Sequence, residues 1–136
     1  MIEEIRKLIE SSSSFLLSTI DRNGFPNTIV VSKPIARLDF YTLKFYVDGD
    51  GGTVKNIKQD SKGNVCCYNE AEHQSLLLKG VFSIHPIDGY TVIEDRLNDY
   101  QKLLDHKNPV IVSFDVYTAK VHQNGVTDFE QIEDNL

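Results

Sequence analysis

The sequence predicts a mainly β protein, a small antiparallel barrel of six strands with a few short helices. Three observations predict it: short runs in which apolar and polar residues alternate, turn signals between those runs, and helical periodicity confined to brief stretches. The 136 residues suit one domain, a size that buries about two-thirds of the surface its unfolded chain exposes.

Each element follows from local chemistry. Ile2, Ile5, Leu8 and Ile9 recur at helical spacing behind Glu3 and Glu4, and the serines at 11–14 end that pattern. Residues 15–20 then read as a strand. Asn23-Gly24 favours positive φ and predicts a tight hairpin into a β-branched second strand over 27–33. Pro34 removes a ladder donor and marks an edge or bulge. Leu43, Phe45 and Val47 alternate with Thr42, Lys44 and Tyr46, a third strand with one apolar face.

That strand runs into Asp48-Gly49-Asp50-Gly51-Gly52, after which residues 53–58 read as a short helix with Thr53 near its N-cap. Residues 64–68 and 75–85 are the fourth and fifth strands, with Gly80 at a bend of the barrel. The longest helical stretch is 88–105, where Val92, Ile93, Leu97, Tyr100, Leu103 and Leu104 supply an apolar stripe. Residues 110–121 form the sixth strand. The domain is read as 1–125, and the acidic residues 126–136 as a mobile tail.

Composition narrows the function. A formal net charge of -6 repels a polyphosphate backbone and argues against nucleic acid as a partner. No apolar run is long enough to span a bilayer, and residues 1–14 lack the apolar centre of a signal peptide, so the expected location is the cytoplasm, with no membrane partner. Cys66 and Cys67 are adjacent, which suits neither a structural disulfide nor a shared metal; they read as two buried, reduced thiols. The four histidines lack metal-ligand spacing, and no metal site is expected. A calcium loop starting at Asp48 would want a bidentate Glu where this chain has Gln59.

The informative feature is the passage from a strand through Asp48–Gly52 to a helix start. Glycines let the backbone turn closely around a group, and the first helical N–H groups lack internal acceptors. A phosphate can take those bonds with help from the Thr53 hydroxyl, and Lys55 adds charge if it turns inward. The same residues are also compatible with an ordinary loop and helix.

Four passages together resemble the pyridoxamine 5′-phosphate oxidase-like FMN-binding split barrels, in particular the small single-domain members. They are the opening hairpin at 15–26, the strand at 28–32, the strand, loop and helix at 44–57, and the strand at 78–82 with its Lys79-Gly80 pair. The resemblance implies a six-stranded split barrel that holds FMN at the interface of a homodimer. In that likeness Ile29, Val30, Val31 and Ser32 approach the flavin ring and ribityl chain, and Lys33 supplies charge from the same strand. Val47, Asp48 and Gly49 line the phosphate side, Thr53 bonds the phosphate, and Asn56 supports the loop.

The chain departs from the family at Gly51-Gly52-Thr53, where many relatives are basic or serine-rich. An FMN-dependent oxidoreductase or electron carrier is the first functional expectation. A deazaflavin or haem in the same cleft, or a non-catalytic sensor of a small molecule, are the alternatives. For the dimer, the aromatic stretch 40–46 offers apolar surface, unless its rings fill the core.

Overall fold

The structure is a computed structural model that describes residues 1–87 and 96–133. Its elements are α1 (Ile2–Ser11), β1 (Ser14–Ile20), β2 (Pro26–Ser32), β3 (Ala36–Leu38), β4 (Thr42–Asp48), α2 (Gly52–Gln59), β5 (Lys62–Asn69), β6 (Gln74–Pro86), α3 (Asp99–Leu103), β7 (Pro109–Gln123) and β8 (Val126–Gln131). One antiparallel sheet runs β2-β1-β5-β6-β7-β4-β3, with β8 added to β7. The chain is mainly β, as expected, with two more strands than the six read from the sequence.

Both extra strands have a physical cause. β3 is a three-residue edge strand, too short to show alternation, and among the described residues it pairs only with β4. β8 lies in the segment read as a mobile acidic tail, and that reading is corrected through Gln131. Gln123 pairs with Val126 across Asn124 (φ 53) and Gly125 (φ 74), so the loop has two residues, both in the left-handed region. This is the type I′ hairpin that Asn-Gly favours. The first Asn-Gly behaves differently. Ile20 pairs with Pro26, leaving a five-residue loop in which Gly24 alone has positive φ. Asp21 organises it by accepting the N–H groups of Asn23 and Phe25, both at 2.9 Å.

β7 is the spine of the sheet. Its first half pairs with β4 and its second half with β8. Near the change of partner, the register with β6 shifts: Lys79 pairs with Thr118, but Gly80 pairs with Val116. The expected bend at Gly80 is thus a β-bulge.

The core fills from both sides of the chain. Phe15, Leu17, Leu43, Phe45, Leu76, Leu78 and Phe114 are almost wholly buried, and Ile5, Leu8 and Ile9 of α1 pack onto the same cluster. Phe40 and Phe45 belong to it, and Tyr46 is 5% exposed, so most rings of the 40–46 stretch fill the interior. They do not supply a surface for a second copy; only Tyr41 among them is largely exposed. Cys67 faces the core, where burial pushes its thiol up to about 12, while Cys66 is half-buried on the opposite face; both are free. Among the described residues no helix is long and apolar enough to cross a membrane. Of the helix expected over 88–105, residues 88–95 lie outside the described residues; the observed helix is α3.

Helix α1 is tied to the β3–β4 turn by a bidentate pair. Arg6 donates from Nε and Nη2 to the two Asp39 oxygens at 2.9 and 2.7 Å. Asp39 itself sits at φ 52. The hydrogen bonds and charge of Arg6 hold the Asp39 carboxyl below its ordinary value. A carboxylate with a depressed folded pKa contributes stability at neutral pH and loses it as pH falls through that folded value. Asp39→Asn keeps a residue that tolerates positive φ and removes the charge. It should melt a few degrees below the parent at pH 7, and the gap should close on acidification. A gap that is constant with pH would mean that the pair's charge is not what ties α1 down.

Candidate functional site

The sheet path ends at β2 and β3, and no hydrogen bonds join these ends among the described residues. β2 comes alongside β4 without pairing, and the barrel is split there. A cleft of about 220 Å³ occupies the opening. One wall is Ile29, Val30, Val31 and Ser32 of β2; the other is Tyr46, Val47 and Asp48 of β4. Tyr100, Gln101, Leu104 and His106 close it from the α3 side.

The β2 wall is an edge strand with β1 as its only partner among the described residues. Alternate N–H and C=O groups of such a strand point away from the sheet and are free to bond a ligand. Its side chains are chiefly apolar: Ile29 and Val31 pack on the core, and Val30 is 67% exposed. The wall therefore offers a flat aliphatic surface edged with backbone donors and acceptors.

The opposite wall is built by a latch. Gly49 N–H donates to the Asn108 carbonyl at 2.8 Å, and Asn108 Nδ2 donates to Asp50 Oδ1 at 3.3 Å. Asp48 Oδ1 accepts the Asp50 N–H at 3.0 Å, and the Asp48 carbonyl accepts the Gly51 N–H at 3.2 Å. Both carboxylates are thus engaged by donors of the loop or its neighbour. Tyr46 turns to the face opposite Phe45, where its ring lies 5.7 Å from that of His106. Burial of Tyr46 departs from the expected polar side of β4 because residues 97–108 cover that side.

The loop delivers the chain to α2. Gly51 is the N-cap and Gly52 the first helical residue, so Thr53 occupies the second helical position and is not the cap. Among the described residues no side chain caps the helix or stands where a Gly52 side chain would. The first amides of α2 consequently keep their N–H groups for an external acceptor. Asn56 donates to Thr19 Oγ1 at 3.1 Å, which fastens α2 to β1.

Of the ten site residues expected from the sequence, the cleft gathers Ile29, Val30, Val31, Ser32, Val47 and Asp48. Gly49, Thr53 and Asn56 lie in the loop and helix beyond Asp48. Lys33 is directed elsewhere, its Nζ donating to the Glu10 carbonyl at 2.6 Å near the C-terminal end of α1. A cation there meets the carbonyl end of a helix, which accounts for its choice of partner.

The sequence reading missed Tyr46, Gln101 and His106 as cleft residues, and assigned Tyr100 and Leu104 only to a packing stripe. One signal was present for this wall. Asn98 and Gln101 form a capping box, Gln101 N–H to Asn98 Oδ1 at 2.7 Å and Asn98 N–H to Gln101 Oε1 at 2.9 Å. That three-residue spacing marks where α3 starts.

This architecture is a split barrel, a fold shared with solved structures of the pyridoxamine 5′-phosphate oxidase type. No protein-family model matches the sequence, and no curated protein matches it. Solved structures do match in fold. A protein from Clostridium acetobutylicum, related to general stress protein 26 of B. subtilis and described as of the pyridoxinephosphate oxidase family, superposes with a TM-score of 0.80 at 16% identity, over 96% of this chain and 94% of the other. A pyridoxamine 5′-phosphate oxidase-related, FMN binding protein from Nostoc punctiforme gives 0.72 at 13% identity, over 97% and 94%. A heme binding protein from Mycobacterium smegmatis gives 0.74 at 15% identity; 96% of this chain matches 57% of that one.

Proposed function

We propose that this chain is an FMN-binding flavoprotein, an electron carrier or oxidoreductase, which holds its flavin at the interface of a homodimer. The observation that carries the reading is the cleft at the split of the sheet. An apolar edge strand forms one side, and the uncapped start of α2 follows directly from the other. These features fit the two halves of FMN. A flat, hydrogen-bonding ring suits β2, whose outward backbone groups complement its polar edge, with Ile29, Val30, Val31 and Ser32 beside it. A phosphate suits the amides of Gly52 and Thr53, the Thr53 hydroxyl and the Asp48–Gly51 turn.

When bound, FMN supplies the electron or hydride transfer; the residues bind, orient and exclude water. Val47 and Leu104 shield the cleft, and Asn56 holds α2 in place through Thr19. Val30 and Tyr100, exposed at 67% and 63%, rim the same opening and give a second copy apolar surface to cover. A haem reading has one observation in its favour, since His106 lines the cleft and imidazole is a common haem ligand.

The test is the visible spectrum of the purified protein after incubation with FMN and removal of free ligand, with sedimentation of the same sample. Flavin bands retained near one per chain on a dimer support the proposal. A Soret band from added haem with no flavin retention supports the second reading. Thr53→Val sharpens the site. Because Thr53 is not the cap, melting should stay within about 0.5 kcal/mol of the parent, while FMN affinity should fall about fivefold through loss of one phosphate hydrogen bond. Unchanged affinity would put the phosphate elsewhere.

A further inference from the structure

We propose that a groove on the outer face of the sheet, at the β6–β7 bulge, is a second binding site, for a small organic anion with a flat apolar body. The proposal does not rest on the flavin reading. The groove encloses about 380 Å³ and shares no lining residue with the cleft at the split. That volume lies in the range of small-molecule sites.

The bulge creates the groove. The register step from Lys79–Thr118 to Gly80–Val116 leaves Tyr117 without a partner on β6. Its carbonyl instead accepts the N–H groups of Ile132 at 2.7 Å and Glu133 at 3.0 Å. Bulges of this kind re-aim side chains next to binding sites. On the other side of β6, Gly80 pairs with Gly63. Both positions are kept as glycine by packing on the inner face. A methyl on Gly63 would run into the Ser18 carbonyl and stand 2.6 Å from the Phe82 ring; one on Gly80 would run into the Asp115 carbonyl. Side chains at these two positions would point inward, so on the outer face the groove is floored by their backbone beside Ile20 and Val81, where a flat group can approach closely.

The polar lining selects charge. In a chain of net charge -6, the groove is lined by Lys62 and Lys79 and, among the described residues, by no carboxylate. Lys79 pairs with Asn64, and Lys62 precedes Asn64 by two on the same face, so the lysines are diagonal neighbours, with a separation of about 7–8 Å. Among the described residues neither ammonium has an ion-pair or hydrogen-bond partner.

Three carboxylates near the groove in sequence or register are directed to other donors, and Glu133, whose N–H bonds the Tyr117 carbonyl, is not among the lining residues. Asp115 accepts from the Thr42 hydroxyl at 2.8 Å, Asp60 from the Lys62 N–H at 3.0 Å, and Asp21 from its own hairpin. Two like charges on one sheet face repel, and an anion between them relieves that repulsion. The Asn64 amide and the Thr118 hydroxyl add neutral donors beside the same spot. A carboxylate or phosphate on an aromatic ring matches both the floor and the charge.

The test is an amide-resolved NMR titration of the full chain with benzoate, phenyl phosphate and benzyl alcohol. The two anions should move the Gly63 and Gly80 amides first, and benzyl alcohol should bind at least several-fold more weakly. The double variant Lys62→Gln, Lys79→Gln should lose about tenfold in affinity for the anions, since two exposed ion pairs of modest strength are removed. These are surface side chains, so its melting and its response to FMN should match the parent. Shifts scattered away from the two glycines would overturn the proposal. So would benzyl alcohol binding as tightly as benzoate, or an unchanged affinity in the double variant. An FMN titration run in parallel keeps a failure here separate from a failure of the flavin reading.

Discussion

Gly80→Ala is expected to lower stability by about 3 kcal/mol or more, at the upper end of what overpacking a core costs. A methyl at Gly80 would be driven into the Asp115 carbonyl, with the Asp115 carbonyl carbon at 2.9 Å and the Phe114 ring at 3.0 Å. The obstacle is backbone of the paired strand, so no rotamer change relieves it. Relief requires β6 and β7 to separate at the bulge, where the two strands also carry the packed Phe82–Phe114 pair, with ring centroids 4.6 Å apart. Gly24→Ala is the control. Gly24 has φ 83 with nothing near its absent side chain, so only backbone strain applies, about 1 kcal/mol. Urea unfolding of the two variants separates the effects. A Gly80→Ala loss no greater than that of Gly24→Ala would mean that the bulge yields easily.

The contrast between these glycines shows what a sequence carries. Local rules could place Gly24 in a turn and Gly80 at a bend, because each interrupts an alternating run. They could not reveal that Gly80 is forced by Asp115, which comes near only once β6 and β7 pair. The strands β1, β4 and β7 were legible because one face of each is buried and the apolar residues keep a period of two. β8 was missed for the opposite reason. Four of its six residues, Val126, Thr127, Asp128 and Phe129, are exposed in a row, so it shows no alternation. Its signal lay in Asn124-Gly125 alone. The tight turn formed at the second Asn-Gly pair, which runs straight into Val126, whereas Asp21 drew the first into a wider loop.

The cleft divides in the same way. Ile29–Ser32 and Val47-Asp48 could be placed because the order of strand, loop and helix carries the resemblance. Tyr46 and His106 could not. Tyr46 alternates like a solvent-facing residue, and only the arrival of residues 97–108 buries it. Lys33 shows the same dependence: a cation near the site in sequence bonds the end of α1 in this structure. Contacts that depend on which elements meet are absent from local pattern, and both sides of this cleft depend on such contacts.

Gly49→Ala should be the most damaging substitution for flavin binding that leaves the barrel standing. Gly49 joins the Asp48 wall to the start of α2, and its N–H holds the Asn108 carbonyl at 2.8 Å. A methyl there would collide with that same carbonyl and lie 3.0 Å from Val110 Cγ1. The latch must open, which frees Asp48 and Asp50 from their present positions and shifts the start of α2, where the proposed phosphate binds. The loss falls on a surface loop, so stability should drop by only about 1–2 kcal/mol. FMN affinity should fall more than tenfold, because several backbone donors move together. Thr53→Val removes one hydroxyl from an intact loop and should cost less. The order of the two effects is therefore diagnostic. Gly49→Ala weaker than Thr53→Val locates the phosphate at the loop and helix start as a unit. If Gly49→Ala loses stability but binds FMN like the parent, the loop is structural and the ligand is held by β2 and α3 alone.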